Sequence, residues 1–380
     1  MLNGIRIVDL TSVIVGPACT WRLAQYGAEV IKVESPEGDL MRELGGASRS
    51  GHHSGAYLHL NRGKKNISLD LKATEDRDVL DKLIETADVF VANMRPNALK
   101  RLKLDAYSLR ATYPKLVHCT ITGYGSDGPY SGQPTYDSVV QGVAGVAALA
   151  HARDGEPAYV PLMLCDHVSG EIAAGAILAA LFQRRATGEG VSIEVPMFET
   201  MAAFVLQEHL AQETFIPPVG PVGDQRLLNA DNRPVQTADG WISFTINTDK
   251  QVRAFLEVTE RQHLVNDERF ATVAARAEHV REWFAVRGAS LASRTTAQWL
   301  SAMQKADIAA QPCHTLDSLQ KDPHLLAVGL LKPEFHPMER EVWSIRSSIL
   351  VNGASLPAGK PASAQGAENS EIIAEVAAAM

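Results

Sequence analysis

Metal-type cysteine spacing is missing from this chain. Its four cysteines, Cys19, Cys119, Cys165 and Cys313, are scattered over 380 residues without a CxxC pair. That argues against a zinc site and fits buried thiols in a reducing compartment. Excess positive charge is missing too. With a formal net charge of -8 and a pI of about 5.9, the chain lacks the clustered basic surface of sequence-independent nucleic-acid binding. A local basic patch can still hold an anionic cofactor. No basic n-region with an apolar h-region precedes the first strand, so no secretory signal is visible. The most apolar stretch, Ile172 to Phe182, is too short to span a bilayer. The expected setting is cytoplasmic, with no membrane and no nucleic acid. Neither GxGxxG nor the GxxxxGK(S/T) P-loop occurs. Gly123-Tyr124-Gly125-Ser126 is not a GxSxG elbow, which disfavours a serine hydrolase.

What is present is strand–helix alternation. Gly4 to Leu10 is a short apolar, β-branched run read as a buried strand. Gly16-Pro17 breaks the chain, Ala18 to Tyr26 has helical spacing, and Val30 to Glu34 is a second strand. Further strands are predicted at Ile67 to Leu71, Val89 to Ala92, Leu116 to Ile121 and Val191 to Val195. Helices are predicted over 76–86, 137–150 and 171–185. This order implies a parallel sheet with helices on its faces. The Pro/Gly cluster from Pro217 to Gly223 is the strongest domain boundary. We therefore expect a large Rossmann-like domain over 1–216, a smaller α/β domain with its linker over 217–325, and a return to the large domain over 326–380.

Three local features carry candidate chemistry. Asn61-Arg62-Gly63-Lys64-Lys65 is either a solvated loop or a phosphate site. Arg95, Lys100 and Arg101 follow a strand, where an α/β sheet presents its ligand loops. Asp166 lies between Leu162-Met163-Leu164-Cys165 and a helical segment. It reads as an N-cap. A capped carboxylate is also held ionised by the helix dipole, as a carboxylate nucleophile requires. His118 and His151 read as structural.

Taken in order, Gly4 to Thr11, Gly16-Pro17, Gly27-Ala28-Glu29-Val30-Ile31-Lys32-Val33-Glu34, Asn61-Arg62-Gly63-Lys64, Leu69-Asp70-Leu71-Lys72, Cys165-Asp166 with Gly170, and Thr187-Gly188-Glu189-Gly190 resemble the class III coenzyme A transferases. These are the CaiB/BaiF type, the family of formyl-CoA and carnitine-CoA transferases. Arg233-Pro234, Thr237 to Trp241 and Asp322-Pro323 extend the likeness to nearly the whole chain. It implies a Rossmann-like large domain made from both chain ends and a homodimer of interlocked rings. It places the nucleophile on Asp166. It places coenzyme A contacts on Val13, Ile14, Leu69, Asp70, Leu71, Lys72, Asn93, Met94, Arg95 and Arg101, and expects further ones at Tyr136 and Asp137. No metal and no permanently bound cofactor is implied; coenzyme A and its esters are substrates, with a carboxylic acid as acceptor. Ser35 stands where the formyl-CoA enzymes carry an arginine, so the resemblance supplies no adenine-side contact there; Asn229 to Pro234 lacks their glycine run, so formate and oxalate are disfavoured. The related α-methylacyl-CoA racemases pair a histidine with an aspartate; Tyr136 occupies the histidine's position. That racemase and a non-catalytic coenzyme A-binding protein are the alternatives.

Overall fold

The computed structural model describes residues 1–378. The chain divides into two compact units. The first comprises Met1–Val146, Tyr159–Val205 and the chain from Pro323 onward; the second comprises Ala147–Ala158 and Leu206–Asp322. The second unit thus also takes a short piece from the middle of the first.

The first unit is built on six parallel strands: β1 (Arg6–Leu10), β2 (Glu29–Glu34), β3 (Lys64–Ser68), β4 (Val89–Ala92), β5 (Val117–Thr122) and β6 (Ser192–Pro196). Their spatial order is β3-β2-β1-β4-β5-β6. The strands read as continuous apolar runs because both faces are covered. On one face Ile7, Val89 and Val91 pack with helices Val15–Gln25 and Leu164–Thr187. On the other, Val8, Phe90 and Ala92 meet Leu80, Leu83 and Ile84 of helix Thr74–Glu85. The C-terminal helix Asn369–Ala378 completes that second face with Ile372 and Val376. Full burial of two such side chains contributes ~1.5–3 kcal/mol each.

Several boundaries differ from the residue pattern, each for a local reason. The first helix begins at Val15, so Gly16-Pro17 lies inside its first turn, where proline's missing N–H has no intrahelical acceptor to lose. The segment expected as one helix over 137–150 is two, Asp137–Val143 and Val146–Asp154, separated by Gly145 at φ 85°. The helix expected over 171–185 runs from Leu164 to Thr187 and is stopped by left-handed Gly188. At 24 residues it is long and apolar enough to cross a bilayer by length and composition. Here it is a core helix, burying Gly170, Ala173, Ala174 and Ile177. A Cβ on Gly170 would lie 2.7 Å from the Val15 carbonyl oxygen. Only glycine allows this approach, which sets the long helix's first turns against the start of Val15–Gln25.

The second unit has a three-stranded antiparallel sheet of β7 (Val235–Gln236), β8 (Trp241–Thr245) and β9 (Ala309–Pro312). Its core gathers Ile242, Phe255, Trp283, Trp299 and Met303.

Candidate active site

The order 3-2-1-4-5-6 reverses direction between β1 and β4, and a crevice opens there at the strands' C-terminal ends. The loops leaving those two strands carry Ser12 to Val15 and Asn93 to Arg95. All of them line a cavity of about 210 Å³ together with Tyr136 and Asp166. A second cavity, of about 640 Å³, is lined by Leu69, Asp70, Leu71, Lys72 and Arg101. Both cavities share Ser12 and Met94. Eleven of the twelve positions that the resemblance assigns to coenzyme A therefore line one cavity or the other; Asp137 lines neither.

Asp166 lies within the first turn of its helix, not at the cap; the N-cap is Met163. It is 7% exposed. The amides that would have served a capping side chain are taken by Asp137. Its Oδ2 accepts the Cys165 N–H at 2.7 Å and the Asp166 N–H at 3.0 Å. Its Oδ1 accepts from Gln141 Nε2 at 2.6 Å. Gln141 in turn accepts from the Val160 N–H and donates to the Leu162 carbonyl, which ties down the approach to the helix. The Asp166 carboxylate accepts no hydrogen bond from the described residues. Burial first, and the Asp137 carboxylate second, push its carboxyl up to about 7. The cap reading, with its strongly ionised carboxylate, is corrected on this point: Asp137 supplies the cap and adds a repelling charge.

The opposite wall is a strained loop. Val13 has φ 69°, an unfavourable conformation for a β-branched residue, costing about 1–3 kcal/mol. Two side chains hold it. Asn93 Oδ1 accepts the Ser12 N–H at 3.0 Å while its Nδ2 donates to the Ser12 carbonyl at 2.9 Å. Asp39 Oδ1 accepts the Val13 N–H at 3.0 Å. Asp39 Oδ2 is fixed by Lys32 Nζ at 2.8 Å, and Lys32 also donates to the Thr11 carbonyl. Asn93 is thus a loop clamp as well as a cavity residue. Glu34, at the end of β2, accepts from Arg42, Tyr57, Asn66 and the Asp39 N–H. Burial opposes its ionisation, yet Arg42 and Lys32 hold its carboxyl down at about 2.

Lys32 and Asp39 were not among the candidates. The signal for Lys32 was a charge inside an otherwise apolar strand, Val30-Ile31-Lys32-Val33; Asp39 lies in the loop after β2 and carries no such signal. Asn61 to Lys65 is neither a solvated loop nor part of the two cavities. Lys64 is buried, donating to Asp9 and Thr20. Arg62 binds Glu334 and the Ala358 carbonyl, and Lys65 pairs with Glu29 and Glu371. By contrast, among the described residues Lys72, Arg95 and Arg101 are held in no ion pair, leaving their charges available to a ligand. His118 is structural: Nε2 lies 3.1 Å from the Leu104 carbonyl and the ring stacks on Phe90. His151 lies in the exposed helix Val146–Asp154 and lines neither cavity.

Comparison with known proteins agrees with the architecture. Residues 2–367 match the model of CoA-transferase family III. The succinate–glutarate CoA-transferase of Agrobacterium fabrum is 32% identical over 99% of this chain and 95% of its own length. The succinyl-CoA:glutarate CoA-transferase of Mus musculus is 29% identical over 99% of this chain and 86% of its own. The crystal structure of a CAIB/BAIF family protein from Brucella suis superposes with a TM-score of 0.83 at 27% identity, covering 99% of each chain. The chain belongs to CoA-transferase family III and is an enzyme of that family.

Proposed function

We propose that this enzyme moves coenzyme A from an acyl-CoA donor to an acceptor carboxylic acid through covalent intermediates on Asp166. The observation that carries the reading is the composition of the smaller cavity. Asp166 is its one carboxylate, Arg95 its one cation, and no histidine lines it.

In the proposed sequence, Asp166 attacks the donor thioester carbonyl. Its C–S bond breaks, coenzyme A leaves as thiolate, and a mixed anhydride forms on Asp166. The thiolate attacks the aspartyl carbonyl, releasing the donor acid as carboxylate and leaving an aspartyl–CoA thioester. The acceptor carboxylate then repeats both steps in reverse. Each step exchanges one activated acyl bond for another, so no ATP is consumed. A carboxyl held up at about 7 gives a more basic nucleophile than an ordinary aspartate, still half ionised near neutrality. Helix Val15–Gln25 starts without a side-chain cap, so the Val15 and Gly16 amides serve as oxyanion donors. Lys72 and Arg101 take the phosphates in the larger cavity, and Arg95 lines the smaller one next to Met94, which lines both. Asp137 acts as helix cap and positions Asp166 rather than touching coenzyme A.

The large domain, small domain and return follow the same reading, as does a homodimer with a second copy. In support of the dimer, the long helix exposes apolar Ile172 and Phe182, the latter 79% exposed. The free cysteines suit a cytoplasmic setting. Succinyl-CoA with glutarate is the first pair to test, since both relatives named above carry those acids in their names. Incubation with succinyl-CoA should leave an acyl or coenzyme A mass adduct on the Asp166 peptide, absent in Asp166→Ala. A racemase would instead wash out the α-proton of a 2-methylacyl-CoA in deuterium oxide without an acceptor acid, and that result would replace the proposal.

A further inference from the structure

The second unit holds a cation for which the described residues supply no counter-charge. Arg287, at the end of helix Val280–Gly288, has its guanidinium 4.9 Å from the Phe244 ring and 4.6 Å from the Phe284 ring. Its Nη2 donates to the Phe244 carbonyl at 3.1 Å. Its Nε is buried without a partner. Burial alone pushes its pKa down to about 10, with no carboxylate working against it. The neighbouring buried arginine is different: Arg276 pairs with Asp249 at 2.7 Å and donates to the Phe270 carbonyl. Arg287 as a whole is half-buried, and a guanidinium partly withdrawn from water without an anion is unfavourable unless a ligand completes it.

Two cavities meet at Arg287. The larger, of about 550 Å³, has Trp283, Phe284, Val280 and Leu227 in its wall. The smaller is about 420 Å³. Asn232 and Thr245 line both, and neither wall contains an aspartate or glutamate. The other arginines of these walls are already matched: Arg226 by Asp224, Arg276 by Asp249 and Arg233 by Asp231. One positive charge is therefore left over, which calls for a monoanion. The apolar wall calls for a hydrocarbon body. A carboxylate fits the planar fork of a guanidinium better than a spherical ion does.

We propose that Arg287 anchors a small organic monocarboxylate, its oxygens on the unspent guanidinium N–H groups and its apolar body against Trp283 and Phe284. This site is built from residues other than those of the Asp166 cavity and does not depend on the chemistry proposed there.

Phenylacetate is a suitable probe, with uncharged phenylacetamide as control, titrated calorimetrically into the full-length protein at low ionic strength. Wild type should bind phenylacetate saturably and phenylacetamide at least tenfold more weakly. Arg287→Met should weaken phenylacetate at least tenfold, while Asp166→Asn should leave that binding event within twofold. Asn232→Asp places a carboxylate in the wall of both cavities; it should displace the probe and raise the thermal midpoint. Unchanged affinity in Arg287→Met overturns the proposal, and if that variant does not fold, unchanged affinity in Asn232→Asp overturns it equally. Loss of binding in Asp166→Asn alone would assign the acid to the other cavity. An assembly that dissociates in Arg287→Met, with no phenylacetate bound by wild type, would give the counter-ion to a second copy of the chain. Either of these two results also overturns the proposal.

Discussion

Asp166 should make the folded chain less stable as pH rises, and Asp166→Asn should remove that dependence. The carboxyl is raised from 3.8 to about 7, by burial first and by Asp137 second. In the unfolded chain it returns to its ordinary value. The folded state therefore binds the proton more tightly. The associated stability is full below pH 3.8, declines between the two values, and is gone once pH exceeds about 7. Each unit of pH in that window is worth about 1.4 kcal/mol. Between pH 5 and pH 8 the wild type should lose roughly 2–3 kcal/mol that an asparagine, which never ionises, does not lose. Other titrating groups are common to both proteins and cancel in the difference. Urea unfolding of both proteins at pH 5, 6, 7 and 8 measures it. The stability gap should shift in favour of Asp166→Asn as pH rises. Parallel curves would refute the argument, because they would mean that Asp166 ionises normally in the folded state.

Two further outcomes follow from the geometry. Arg101→Ala should weaken acyl-CoA binding roughly ten- to a hundredfold, the loss of a charge-assisted hydrogen bond of ~1.5–3 kcal/mol. Turnover at saturation should change less, and equilibrium binding together with kcat checks the split. Asp39→Asn should lower stability by up to ~3–5 kcal/mol, because it removes the carboxylate that accepts directly from buried Lys32. It should also slow kcat as the Val13 backbone relaxes; denaturation midpoints and steady-state kinetics test both, and an unchanged kcat in the folded variant would mean that Val13 is held by other means.

Strand–helix order and the β-branched apolar runs of β1, β2, β4 and β5 were legible in the residues because parallel strands covered on both faces leave a continuous hydrophobic signature. The position of Arg95 and Arg101 after β4 followed from the same order, since ligand loops leave a parallel sheet at its C-terminal edge. The aspartate at 166 could be picked out by its junction and by resemblance. Its environment could not, because that is set by Asp137, 29 residues away along the chain, whose carboxylate reaches the Cys165 and Asp166 amides. The same holds for Lys64, which resembles a loop cation in sequence and is a buried partner of Asp9 in space. Arg287 is the extreme case. Nothing in Phe284-Ala285-Val286-Arg287 distinguishes it from a solvated helix arginine, and only the approach of β8 brings the Phe244 ring and carbonyl against it. Local pattern determines which elements form, because periodicity and turn chemistry act between near neighbours. Which charges are buried, paired or left waiting depends on what the fold brings beside them, and that is a property of the tertiary structure alone.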